Sequence, residues 1–128
     1  MASCKMIHMM IRVMDLERSL KFYDEALGLK EVRRKDMPQG KFTLVYLGDG
    51  KSDFQMELTY NYDPEKPYEL GNGYGHLAVE VDNLEAVHLE HEAKGYQVGA
   101  LKGLDAGVSN YYFLTDPDGY QIEVMRKH

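Results

Sequence analysis

The sequence predicts an α+β fold made of two tandem βαβββ modules, and three observations carry that prediction. The chain repeats itself: "HMMIRVMDLERS" from His8 aligns with "HLAVEVDNLEAV" from His76, placing His8 on His76, Val13 on Val81, Leu16 on Leu84 and Glu17 on Glu85 at one constant offset. Further on, Gly28 in "EALGLKEV" matches Gly95 in "EAKGYQVG" one residue out of step. Glu57 in "FQMELTY" matches Glu123 in "YQIEVM" two residues out of step, so the period is about 68 residues. Finally, each half runs through the same patterns: one segment of period two, one of helical period, then three more of period two.

The elements follow in order. Residues 7–13 and 76–81 alternate apolar and polar, as half-buried strands do. In "DLERSLKFYDEAL", Asp15 is an N-cap and Leu16, Leu20, Tyr23 and Leu27 fall at helical spacing. In "DNLEAVHLEHEAKG", Leu84, Val87 and Leu89 are the apolar residues and Gly95 is the stop. His88 and His91, three apart on that helix, are read as solvated, and His128 is terminal. The remaining strands are "KEVRRK", "FTLVYLG" and "DFQMELTY" in the first half, and "YQVGALK", "NYYFLTD" and "YQIEVM" in the second. The whole reads as one domain over residues 1–128: repeat 1 (6–62), repeat 2 (74–126) and a linker (63–73) rich in Pro and Gly.

Composition narrows the function. At 128 residues and 44% hydrophobic the chain can bury a core. A net charge of −6 argues against a nucleic-acid partner, which needs a basic face. The single cysteine, Cys4, allows no internal disulfide and fits a reducing compartment. "MASCKMIHMM" is not a secretory signal, and no run is long enough to span a bilayer. The expected location is the cytoplasm, with no membrane partner.

Alternation sorts the polar residues. Ile7, Met9, Ile11 and Val13 share one face of the first strand, and His8, Met10 and Arg12 the other. Glu57 lies with Gln55 and Thr59, opposite Phe54, Met56, Leu58 and Tyr60. His76 lies with Ala78 and Glu80, and Glu123 with Gln121. Two histidines and two glutamates thus recur at matched positions, always opposite the helix-packing face. If two cupped sheets close around a space, His8, Glu57, His76 and Glu123 converge in it. Two imidazoles and two carboxylates suit Ni²⁺, Zn²⁺, Co²⁺, Mn²⁺ or Fe²⁺, and an octahedral shell leaves two positions for water or substrate. Isolated surface polar residues are the competing reading for each of the four.

Taken together, "IHMMIRVMDLERSLKFYDEALGLK", "FTLVYLG", "ELTYNY", "YELGNGYGHLAVEVDN" and "DPDGYQIEVM" resemble the vicinal-oxygen-chelate superfamily, and within it the lactoylglutathione lyases of the glyoxalase I type. The resemblance implies cupped mixed sheets around a metal held by His8, Glu57, His76 and Glu123. It implies one divalent ion per site: Ni²⁺ is favoured by the compact length, with Co²⁺ or Zn²⁺ as alternatives. It implies isomerisation of the methylglyoxal–glutathione hemithioacetal to S-D-lactoylglutathione, with Glu123 as principal base and Glu57 serving the opposite face. Arg12 and Asn61 would hold the glutathione carboxylate end. Lys102 resembles a family lysine that contacts the glycyl carboxylate, although "GLDAGVSN" after it departs from the usual pattern. A homodimer is expected, because exposed sheet edges need covering. Trypanothione or another small thiol could use the same residues as glutathione. An epimerase, thiol transferase or dioxygenase of the superfamily, or a metal-free binding module, are the alternative functions.

Overall fold

A computed structural model describes residues 1–103 and 109–127 of the chain, and these divide into two compact units, Met1–Tyr68 and Glu69–His128. Unit 1 holds β1 (His8–Arg12), α1 (Leu16–Leu27), β2 (Lys30–Met37), β3 (Phe42–Gly48) and β4 (Gln55–Asn61). Unit 2 holds β5 (His76–Val81), α2 (Leu84–Ala93), β6 (Gln97–Val98), β7 (Tyr111–Thr115) and β8 (Gln121–Arg126). Each forms one mixed sheet, in the order β1-β4-β3-β2 or β5-β8-β7-β6. The first strand of each unit lies at an edge and runs parallel to the last, as a helical crossover requires, while the other pairs are antiparallel. This is the repeated βαβββ plan.

Local chemistry sets the helix ends. The Asp15 carboxylate accepts the Arg18 backbone N–H, and the Asn83 side chain accepts that of Ala86. Gly28 ends α1 at φ 66° and Gly95 follows α2 at φ 78°, a left-handed backbone that favours glycine. In unit 1, Ile11, Val13, Val45, Leu47, Met56 and Leu58 are buried on the sheet, with Leu16, Phe22 and Tyr23 on the helix. Leu20 and Leu27 are only half-buried, because the buried face of α1 is turned toward Ser19 and Phe22.

Two expectations are corrected. The strand read in "YQVGALK" shrinks to Gln97–Val98 with one further bridge from Lys102 to Tyr111, because Gly99 gives the strand no side chain and the pairing lapses beyond it. More consequentially, His88 and His91 are not solvated. They are 8% and 1% exposed, whereas Leu89 is 66% exposed. The helical stripe is Leu84, Val87, His88 and His91, at spacings of three and four. Each histidine is satisfied in place: His88 Nε2 lies 2.9 Å from the Gly99 carbonyl, and His91 Nδ1 lies 2.8 Å from the Tyr112 hydroxyl. Burial pushes the Tyr112 hydroxyl well above its usual range, the charge of Glu90 adding to it, so Tyr112 keeps its proton. His128 and residues 104–108, most of "GLDAGVSN", lie outside the described residues.

Candidate functional site

Each unit places one histidine against one glutamate by the same construction. On the parallel pair β1–β4, Met10 is the register partner of Glu57, and His8 sits two residues earlier on the same face. The diagonal brings His8 Nε2 to 3.4 Å from Glu57 Oε1. On β5–β8, Ala78 is the register partner of Glu123, and His76 Nε2 reaches 3.2 Å from Glu123 Oε1. Each imidazole makes a T-shaped contact with an aromatic ring on the strand antiparallel to its glutamate's: His8 with Tyr46 at 5.4 Å and His76 with Phe113 at 5.2 Å.

These pairs fit a metal. Two donors bound about 2.0–2.2 Å from one ion in adjacent positions lie roughly 3 Å apart, close to both separations. Each unit supplies two such donors. Among the described residues, no three His, Cys, Asp or Glu side chains are gathered closely enough to hold an ion.

The surroundings of the two carboxylates differ. Glu57 is buried and accepts from Thr59 Oγ1 at 3.0 Å through its second oxygen, Oε2. Tyr46 is its cross-strand partner. The nearby Glu57 carboxylate, foremost, raises the Tyr46 hydroxyl above its usual value; burial adds, and Arg33 opposes. The Arg33 guanidinium lies 4.0 Å from the centre of the Tyr46 ring. At the matched positions in unit 2, Phe113 and Met125 offer Glu123 no hydroxyl. The pairing of Thr59 with Glu57 on one face was legible from alternation. Tyr46 and Arg33 were not singled out, since their approach depends on the register of β2, β3 and β4.

Arg12 and Asn61 lie at the C-terminal ends of β1 and β4, four residues beyond His8 and Glu57 respectively. Asn61 Nδ2 donates to the Tyr68 hydroxyl at 3.1 Å. A crevice of about 350 Å³ opens in unit 1 beside His8, lined also by Ile7, Val32, Arg33, Asp53 and Gln55. In unit 2, the exposed Lys102 is fixed by backbone hydrogen bonds to Asn110 and Tyr111.

The sequence profile of the Glyoxalase/Bleomycin resistance protein/Dioxygenase superfamily matches residues 5–124. The chain is 44% identical over 126 residues to the lactoylglutathione lyase of Neisseria meningitidis, covering 96% of this chain and 91% of the relative. It is 39% identical to that of Escherichia coli O157:H7, covering 96% and 93%. Among solved structures, a trypanothione-dependent glyoxalase I of Leishmania major matches at a TM-score of 0.85 and 39% identity, covering 97% of this chain and 87% of that one. Glyoxalase I of Zea mays matches at 0.87 and 35%, covering 96% of this chain and 44% of that one. With this coverage and identity, and with a matched His–Glu pair in each of two βαβββ units, the chain belongs to the glyoxalase superfamily and, within it, to the lactoylglutathione lyase family of enzymes.

Proposed function

We propose that this enzyme isomerises the hemithioacetal of methylglyoxal and glutathione to S-D-lactoylglutathione, as part of methylglyoxal detoxification. The observation that carries the reading is the duplicated pair, an imidazole Nε2 within 3.4 Å of a carboxylate in unit 1 and within 3.2 Å in unit 2. In this reading His8, Glu57, His76 and Glu123 are the four protein ligands of one divalent ion, Ni²⁺ by preference, with Co²⁺ or Zn²⁺ as alternatives. The working form is a homodimer in the cytoplasm. No helix among the described residues is long and apolar enough to cross a membrane.

The reaction moves one proton between adjacent carbons. A metal at the site supplies Lewis-acid stabilisation of the negative charge that develops on the substrate oxygens. Glu123 removes the proton from the carbon bearing sulfur and returns it to the neighbouring carbon, which was the ketone. Glu57 faces the opposite side. Arg12 and Asn61 grip the far carboxylate end of the thiol. Arg12 stands four residues, about 13 Å at strand rise, from His8, a distance that suits the remote end of a tripeptide. Lys102 is assigned the glycyl carboxylate.

The test is turnover of methylglyoxal plus glutathione by chelator-stripped protein, before and after each divalent ion. Restoration by Ni²⁺ but not Zn²⁺ is expected. Absence of activity with every ion would overturn the reading for glutathione. The likeness to the trypanothione-dependent Leishmania enzyme makes trypanothione the second thiol to assay.

A further inference from the structure

Strand β2 carries two adjacent arginines with different partners. Arg34 is paired with Glu31 through two guanidinium nitrogens, Nε at 3.0 Å and Nη2 at 2.8 Å. Among the described residues, no carboxylate pairs with Arg33, whose guanidinium carbon lies 4.0 Å from the centre of the Tyr46 ring. The register explains the split. Glu31 opposes Leu47 on β3, yet Arg33 and not Val32 opposes the next residue, Tyr46. Val32 is therefore the extra residue of a β-bulge, and a bulge re-aims the side chains that follow it. In an unbroken ladder Val32 would oppose Tyr46, and Arg33 would fall in the row of Val45, toward the helix. With the bulge, Arg33 stands in one row with Tyr46 and Glu57.

That row brings Arg33 to the crevice of about 350 Å³ beside His8. The Tyr46 ring joins the two, with the guanidinium 4.0 Å and the His8 imidazole 5.4 Å from its centre. Among the described residues, the one carboxylate lining the crevice is Asp53, and Lys5 Nζ holds it at 3.0 Å. Arg33 is left as the uncompensated positive charge. Stacking on a ring occupies the face of a guanidinium and leaves the N–H donors of its edge for a second partner. A carboxylate matches that fork in both charge and geometry, through two parallel hydrogen bonds. Ile7 and Val32 add apolar wall, which suits the methylenes of a short chain leading to such a group.

We propose that this crevice is a carboxylate subsite with Arg33 as its specificity-determining residue, and that the enzyme accepts 2-oxoaldehydes whose substituent ends in a carboxylate. The inference rests on the lyase reading, which places the reacting carbons at His8 and Glu57 and so directs the substituent of the ketone carbon into the crevice. The methyl group of methylglyoxal offers the fork nothing; a carboxylate beyond two methylenes fills it. The reaction itself is unchanged, since one proton still moves between the same two carbons and the added carboxylate only binds.

The test compares two glutathione hemithioacetals of matched shape on the Ni²⁺-loaded full chain. One is formed from 4,5-dioxopentanoate, the other from 5-methyl-2-oxohexanal, in which an isopropyl group replaces the carboxylate. The readout is the ratio of their kcat/KM values, because folding and metal occupancy act equally on both. Arg33→Met should lower the ratio of carboxylate over isopropyl about tenfold, and Arg33→Lys, which keeps the charge but loses the fork, about threefold. A ratio unmoved in Arg33→Met would overturn the subsite; if that variant is inactive, a ratio unmoved in Arg33→Lys would do so. Wild-type protein that turns over the methylglyoxal hemithioacetal but not that of 4,5-dioxopentanoate would also overturn it. Failure to turn over any hemithioacetal counts against the lyase reading instead. The subsite is then decided by calorimetry with S-(3-carboxypropyl)glutathione and S-(4-methylpentyl)glutathione: Arg33→Met should weaken the first selectively, and an equal effect on both, or no binding of either to the wild type, would overturn it.

Discussion

In unit 1 the helix-facing side of the sheet is apolar, with Val45, Leu47, Met56 and Leu58 beneath Leu16, Phe22 and Tyr23, and the opposite side carries Arg33, Tyr46, Glu57 and Thr59. In unit 2 the helix-facing side is itself partly polar. Its helix-facing core contains His88, His91 and Tyr112 beside Leu114, Ile122 and Val124, while the carboxylate on its other face sits against Phe113 and Met125. His91 falls where Tyr23 does in the first repeat, and Tyr112 where Val45 does. The comparison teaches that a duplicated fold constrains where side chains point, but leaves each face free to become polar. A polar residue is tolerated in the core wherever its hydrogen bonds are met, as at His91–Tyr112.

The largest expected effect separates the two carboxylates. Glu123→Gln should lower kcat by about 10³-fold at saturating metal, because an amide cannot carry the proton. Glu57→Gln should instead act chiefly through weaker Ni²⁺ binding. Steady-state kinetics at several metal concentrations distinguish the two, and equal losses of kcat in both would contradict Glu123 as the principal base. At the substrate end, Arg12→Lys replaces a fork by a point charge and should raise KM roughly tenfold, or about 1.4 kcal/mol, with kcat little changed. A kcat effect without a KM effect would remove Arg12 from glutathione binding.

Stability measurements sharpen the contrast between the cores. Leu58→Ala in unit 1 empties a fully buried site and should cost about 2–5 kcal/mol in denaturant unfolding. Tyr112→Phe in unit 2 leaves His91 Nδ1 without its hydroxyl partner and should cost about 1–3 kcal/mol. The pH dependence follows from the same hydroxyl. Burial raises the folded-state pKa of Tyr112 above its unfolded value near 10, so its contribution is fully present below that pH. As pH rises past about 10 the unfolded chain ionises and the folded one does not, and stability falls. Tyr112→Phe should flatten that alkaline slope. The smallest effect is expected at Leu89, whose exposure predicts that Leu89→Glu changes stability by no more than about 0.5 kcal/mol. A large loss there would return Leu89 to the core and contradict the helix rotation.

The repeat, the order of elements, the capping at Asp15 and the glycine stops are all local patterns, and they were legible in the chain. So was the face shared by Glu57 and Thr59, since strand alternation needs only sequence spacing. The stripe of α2 is not legible from apolar residues alone, since two of its four inward positions are histidines, which enter a core only when partners on other elements accept them. Those partners are the Gly99 carbonyl and Tyr112, 11 and 21 residues away. β6 is shorter than the alternation of "YQVGALK", because whether pairing continues beyond Gly99 depends on the neighbouring strand.

The sequence by itself determined two βαβββ units, the residues facing each way along every strand, and the matched His8, Glu57, His76 and Glu123, because periodicity and repetition are intrinsic to the chain. The tertiary structure alone decided the strand registers, and with them the 3.4 Å and 3.2 Å approaches of histidine to glutamate. The tertiary structure also decided that two histidines lie inside. Cross-strand and helix–sheet neighbours are fixed by pairing across tens of residues, and no local pattern encodes which side chain a partner strand will present.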